Sequence, residues 1–450
     1  MNTLSYRDPN TRWNRHFWLC AALIFTGGLL LRLYLGTQFR GYIGDQSLFV
    51  DWMNAVHQYG VRESYLYGKD QNYPPVFIFI LGLYRWILDG LGITASAANL
   101  SMKILPIAFD MLSMAVLALT FKKLSSGKRL VLLAVLSFNP GLLVDSAMWG
   151  QIDILHSTLM VLSTVLLLSN PLLAGILFSV ALLAKFQAIV IAPVIGIVLL
   201  RQLYHRRFRG TLLFVAGLMM AILPVLLYFA ANGTLGTMLT NAYGSAVNMY
   251  PQLSLNAMNI WYHLLGDPGT SDATVLFGIV TYKMFGLLLL AIAVIGVAAY
   301  LLLIKEIRIS SLLIAGAAVN LAFFMLPTEI HERYSIPALL FLVLVPFFER
   351  KWMYATIAFS LTTYVNIAMI MSTGSDSDFG AEEGQSRIGG GHGNFGGGGH
   401  GASFSMHGSG LTNDLMYGIG ISIAIIHIVI LLWVVYAMTR EVLDERKKRS

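Results

Sequence analysis

Runs of about 20 apolar residues, separated by short polar breaks, recur along most of this 450-residue chain. A helix needs roughly that length to cross a hydrocarbon core about 30 Å thick. The pattern predicts twelve spans, at 16–36, 101–121, 129–147, 152–169, 172–184, 186–200, 211–231, 276–304, 309–326, 335–348, 352–371 and 415–438. The runs at 172–184 and 335–348 are short for a perpendicular crossing, which fits a bundle that buries polar chain near one surface. The expected fold class is therefore all-α and polytopic, a bundle of about 12 transmembrane helices. The first run reads as a retained helix, because no small-residue cleavage site follows it. One further apolar stretch, Val76 to Gly92, opens at Tyr73-Pro74-Pro75 and carries Arg85 and Asp89. It reads as a surface-lying or re-entrant helix.

Charge decides that last point and sets the orientation. One set of loops holds 20 of the 30 Lys and Arg residues, at 7–15, 122–129, 201–209, 305–308, 350–351 and 440–449. Cytoplasmic loops collect Lys and Arg, so these loops and both termini are expected inside a cell membrane. Counting 76–92 as a span would put every later basic loop outside. The opposite, outer face then carries 37–100, the turn 149–153, 232–275 and 327–334, with a fifth loop at 372–413. Three parts follow: a module over 1–371, a Gly-rich flexible outer loop over 372–413, and a final helix with a basic tail over 414–450.

Composition adds constraints. Only 12% of residues are charged, and the mean hydropathy is +0.69, so no soluble domain of ordinary size is expected. The net charge of +7 is accounted for by the basic loops, and no nucleic-acid partner is expected. One cysteine, Cys20, excludes an internal disulfide.

Candidate chemistry gathers on the outer face. Asp45 lies just past the first span, in Gly41-Tyr42-Ile43-Gly44-Asp45-Gln46, and Asp51 and Trp52 follow. A carboxylate there suits a general base acting on a hydroxyl, or a simple cap on a helix from Gln46 to Gln58. The turn Met148-Trp149-Gly150-Gln151-Ile152-Asp153 joins two spans. An acid at that depth needs a polar cavity, so Gln151 and Asp153 are expected to face a site, while Trp149 suits an interfacial anchor equally well. Lys185 sits between two apolar runs and either meets a phosphate or snorkels. In Pro327-Thr328-Glu329-Ile330-His331-Glu332-Arg333-Tyr334, four ionisable residues fall within five positions. They offer a cation, an acid and an imidazole immediately before the chain re-enters the membrane. Asp110 and Asp145, with Asn139-Pro140 between them, suit polar helix packing. His392, His400 and His407 lack metal-ligand spacing.

With these motifs in order, the chain resembles the GT-C class of glycosyltransferases, which take sugars from polyprenyl-phosphate carriers. More narrowly it is similar to bacterial membrane mannosyltransferases related to the GPI mannosyltransferase 2 (PIG-V type) enzymes. The resemblance rests on Asp45 with Trp52, Tyr73-Pro74-Pro75, Lys103 to Asp110, Trp149 to Asp153 and His331 to Tyr334, and covers 16–371. It implies a GT-C-like bundle with an outer-face site facing the lipid bilayer, a polyprenyl-phosphate-linked sugar donor, and an unassigned acceptor. Asp45 would be the base of an inverting transfer. Lys185, His331 and Arg333 would supply positive charge to the leaving phosphate. Gln151 and Asp153 would orient hydroxyls, and Asp51, Glu332 and Tyr334 complete the substrate-binding set. No Asp-x-Asp pair stands in the first loop, so no metal or other cofactor is expected. The rival readings are a transporter or flippase of lipid-linked sugars, which would show internal repeats, and a non-catalytic glycosylation subunit.

Overall fold

The computed structural model describes residues 15–246, 249–373 and 410–448. The Gly-rich stretch with His392, His400 and His407, and its expected flexibility, lie outside those residues. The first helices are α1 (Arg15–Gln38), α2 (Ile43–Tyr67), α3 (Pro75–Gly90) and α4 (Leu100–Thr120). Next come α5 (Ser126–Phe138), α6 (Pro140–Leu143), a π turn at Val144–Trp149, α7 (Asp153–Leu166) and α8 (Pro171–Ala184). A 3₁₀ turn at Phe186–Ile191 leads into α9 (Ala192–Tyr204), then α10 (Phe208–Ala230) and α11 (Leu235–Ala242). The last set is α12 (Tyr282–Leu303), α13 (Ile309–Met325), α14 (Ile336–Leu344), α15 (Met353–Thr373) and α16 (Gly410–Lys447).

This is a mostly helical membrane protein, in which fewer than twelve helices of the described residues have spanning length. Among the described residues seven helices are long and apolar enough to cross a membrane, and an eighth if α5 and the Pro140–Trp149 segment, bent by 44°, count as one. The other four expected spans are helical but short. Helices α7 and α8 have 14 residues each and α13 has 17; α14 has nine. At 1.5 Å per residue a 14-residue helix reaches only about 21 Å, well under the core thickness. Apolar content alone does not distinguish a buried interior helix from a span: every residue of α14, and nearly every residue of α13, is buried. Long helices such as α10 and α12 instead bury fewer than a quarter of the residues in their apolar windows.

Two other boundaries moved. The run expected from 276 begins as a hairpin, with β1 (Val275–Phe277) antiparallel to β2 (Val280–Thr281). The Thr281 side chain then accepts from Met284 N and starts α12. Helix α2 outruns its expected end at Gln58 and continues to Tyr67 across a kink at Gly60, whose φ is +74°. Helix α3 is not among the helices long and apolar enough to cross a membrane. Pro74 and Pro75 open it, it packs on α2 and α8, and Leu83, Trp86 and Ile87 stay exposed along it.

Two fixtures, one polar and one a close backbone crossing, hold the bundle in register. Arg32 on α1 is fully buried and donates to Asp110 on α4 at 2.7 Å. It also donates to the carbonyls of Leu136 and Ser137, at 3.2 and 2.7 Å, where α5 ends before Asn139-Pro140. Helices α8 and α10 meet backbone to backbone. A Cβ on Gly175 would lie 2.1 Å from Phe214 O, and one on Gly217 would lie 2.0 Å from Leu172 O. Small residues at such crossings let membrane helices approach closely. Gly175→Leu is expected to destabilise the protein by about 1–3 kcal/mol or more, read as a lower melting temperature in detergent. Gly196→Leu, at a position with nothing within 4 Å, should melt like wild type.

Candidate active site

The first turn of α2 and the turn before α7 are tied together through their backbones. Tyr42 N donates to Trp149 O at 3.2 Å, and the buried Gln46 amide donates to the same carbonyl at 3.0 Å. Gln46 Oε1 accepts from Ala98 N at 2.9 Å, so the following loop is held as well. Tyr42 stacks on the Trp149 ring, with centroids 4.7 Å apart. The π turn ends at Gly150, whose φ of +93° belongs to the left-handed region that glycine adopts without strain. Gly150 N and Gln151 N both donate to Asp145 O, at 3.1 and 2.9 Å.

This arrangement aims Trp149 and Gln151 at Asp45. Asp45 Oδ2 accepts from Trp149 Nε1 at 2.9 Å and from Gln151 Nε2 at 2.6 Å. The N-cap of α2 is Tyr42, so Asp45 is a first-turn residue with a tertiary role and not the cap. Trp149 is 2% exposed and holds a carboxylate, which removes the interfacial-anchor alternative.

The second half of the cluster comes from α7, the end of α8 and the segment before α14. The Lys185 ammonium bonds Asp153 Oδ1. Lys185 and Asp153 are both buried, so the lysine does not snorkel. The rings of Tyr73 and Tyr334 lie 5.3 and 5.8 Å from its ammonium, within cation–π range. Arg333 links the two halves. Its guanidinium stands 3.6 Å from Asp45 Oδ2, 4.0 Å from Asp153 Oδ2 and 3.2 Å from Glu332 Oε1.

Seven of the nine expected site residues therefore converge: Asp45, Gln151, Asp153, Lys185, Glu332, Arg333 and Tyr334. Asp51 does not join them. Six residues beyond Asp45 along a helix is about 240° around its axis, and Asp51 lies on an exposed face. His331 is close, with its ring 5.3 Å from that of Tyr334, but it is no cation. Burial, helped by Arg333 and Lys185, holds its imidazole well below the usual range, so the expected positive charge is absent at neutral pH. Glu329 turns away to Lys283.

Sequence reasoning missed Tyr73 as a wall of the site, treating it only as part of a helix entry, and missed His156. The latter lies three residues after Asp153, one turn along the same face, and that spacing was the available signal. Asp145 is 1% exposed with neither carboxylate oxygen hydrogen-bonded to a described residue.

No protein-family model matches the chain, and no curated protein matches it. What the site can do follows from its geometry. Among the described residues no group of three or more His, Cys, Asp and Glu side chains is arranged to hold a metal ion. The charges are nearly balanced: Lys185 and Arg333 face Asp45, Asp153 and Glu332. Burial raises the Glu332 carboxyl above its ordinary value, and the Arg333 cation only partly opposes this. For Arg333, burial disfavours the charge, but Asp45 and Glu332 outweigh it and hold the guanidinium firmly charged. The side chains of Asp153 and Glu332 are each 1% exposed, whereas that of Asp45 is 17% exposed. One carboxylate of the three thus reaches the solvent, next to the Arg333 cation.

The sign for Glu332 is testable. Its raised value means that charging it costs the folded state free energy, a cost absent at low pH that grows as pH rises through the folded value. Glu332→Gln removes it. The melting temperature of the variant relative to wild type should climb between about pH 5 and about pH 8. A falling difference would show that the ion pair with Arg333 outweighs burial.

Proposed function

We propose that the protein is a membrane glycosyltransferase that moves a sugar, mannose by resemblance, from a polyprenyl-phosphate carrier to an acceptor hydroxyl. Asp45 is the base. The observation that carries this reading is its setting. It is the partly exposed acid of the cluster, its Oδ2 is occupied by Trp149 and Gln151, and Oδ1 takes neither of those bonds.

The steps follow from that. Asp45 Oδ1 takes the proton of the acceptor hydroxyl as its oxygen attacks the anomeric carbon. The bond from that carbon to the phosphate oxygen breaks on the opposite face, and the configuration inverts. Phosphate leaves readily, so no buried acid need protonate it. The developing negative charge needs preorganised cations instead. Lys185 and Arg333 fill that role, each already oriented by a carboxylate and by aromatic rings. The pairing with Asp153 keeps Lys185 charged in an apolar surrounding until the phosphate arrives. The basic loops support a site on the extracytoplasmic face of the cell membrane with both termini in the cytoplasm, because cytoplasmic loops collect Lys and Arg. The exposed apolar flank of α3, with Leu83, Trp86 and Ile87, suits contact with lipid beside the site.

Transfer in reconstituted vesicles from a panel of radiolabelled polyprenyl-phosphate sugars tests the reading. Asp45→Asn should bind the donor as wild type does and lose transfer by about 10²–10⁴-fold, the usual contribution of a general base. Equal turnover by both proteins would remove Asp45 from the chemistry. Movement of donor between leaflets without transfer would replace the enzyme with a transporter.

A further inference from the structure

Beside the charged cluster, Asp153 and His156 open from one face of α7 onto a small cavity. Gln187, Asn320, Phe323 and Tyr334 complete most of its wall. The space open to the centre of a water molecule is about 10 Å³, close to what a single water occupies. Four buried polar atoms belonging to this lining have no hydrogen-bond partner among the described residues. They are Asp153 Oδ2, His156 Nδ1, His156 Nε2 and Gln187 Oε1. Asp153 and His156 are each only 1% exposed. The nearest approach between them, 3.8 Å from His156 Nδ1 to Asp153 Oδ1, is too long for a hydrogen bond, and that oxygen already bonds Lys185.

Buried donors and acceptors are almost always satisfied, and leaving one bare is costly. The chemistry of the lining selects the missing partner. A cation is disfavoured by Lys185 and by Arg333, the latter 4.0 Å from Asp153 Oδ2. An anion is disfavoured by the Asp153 carboxylate itself. An apolar group would leave all four atoms bare. What remains is a small neutral group that both donates and accepts.

We propose that this cavity is a subsite for one hydroxyl group. Its oxygen accepts from whichever His156 nitrogen carries the proton, and its hydrogen goes to Asp153 Oδ2. His156 is then a positioning residue: it acts on the charged cluster through this hydroxyl and Asp153. Two sources supply the same chemistry. One is an internal water, whose second hydrogen reaches Gln187 Oε1. The other is a hydroxyl of a bound sugar, and that source alone rests on the glycosyl-transfer reading above.

The test uses the full-length protein in lipid nanodiscs, at a resolution that shows ordered waters, alone and with a short-chain prenyl-phosphate mannose. An oxygen peak within hydrogen-bonding distance of Asp153 Oδ2 and a His156 nitrogen is expected. If it is present in the free protein and persists with the donor, it is water. If a sugar oxygen takes its place, the substrate supplies the hydroxyl. Melting of two variants gives an independent sign. With a hydroxyl bound, His156→Leu strips it of a partner and should melt about 3 °C or more below wild type, and His156→Gln should recover much of that loss. In a dry cavity His156→Leu would instead remove two bare nitrogens and melt at or above wild type. A cavity empty in both structures, or that rise in melting temperature, overturns the proposal. If the donor fails to bind at all, the glycosyl-transfer reading suffers. The free structure and the melting data still decide the subsite.

Discussion

The buried pair of Arg32 and Asp110 is the contact from which the rest of the bundle takes its positions. A guanidinium with no solvent exposure must find both a counter-charge and partners for its remaining donors, and removing one side of such a pair costs about 3–5 kcal/mol. Asp110 gives the charge. The other donors go to Gly28 O, Leu136 O and Ser137 O. The last two belong to the end of α5, where Pro140 cannot continue the backbone ladder. In an apolar medium carbonyls freed in this way need donors from elsewhere. Ser146 Oγ on the π turn donates to Asp110 Oδ2 as well, at 2.7 Å. One cation thus fastens α1, α4, the broken end of α5 and the segment that delivers Trp149 and Gln151.

The candidate site repeats the principle with more members and an incomplete balance. Lys185 is committed to Asp153 and flanked by tyrosine rings, while Arg333 is shared among three carboxylates at 3.2–4.0 Å. Such an arrangement costs no reorganisation when negative charge develops, which is the source of most electrostatic catalysis. Because Arg333 faces both Asp45 and Asp153, the two halves of the cluster are coupled, and a change at either carboxylate is felt at the other.

Much of this was legible in the sequence for a simple reason. An ionisable residue inside or beside an apolar run is expensive, so Asp45, Asp153, Lys185 and Arg333 announced themselves by being there at all. What stayed hidden was set by tertiary distance. Asp51 has the same chemistry as Asp45 and differs only in its angle around α2, which a loop sequence does not reveal. The neutral state of His331 follows from burial beside two cations contributed by separate segments. Arg32 lies within the first apolar run, and its partner stands 78 residues away, so nothing local pairs them. The short helices α13 and α14 carry the same apolar signal as the longer helices, because a helix buried among others and a helix facing lipid are both apolar all round.

The glycine contact between α8 and α10 has a consequence at the other end of α8. Lys185 is the C-cap of that helix, ten residues beyond Gly175. Sliding a helix by one residue moves its end by about 1.5 Å and turns it by about 100°, enough to carry an ammonium out of reach of Asp153. Gly175 and Gly217 leave no room for such a slide, because each lies against the opposing backbone. Two side chains that do not exist therefore index the position of a charge, and the cost of a substitution there would be paid at a distance, among residues it never touches.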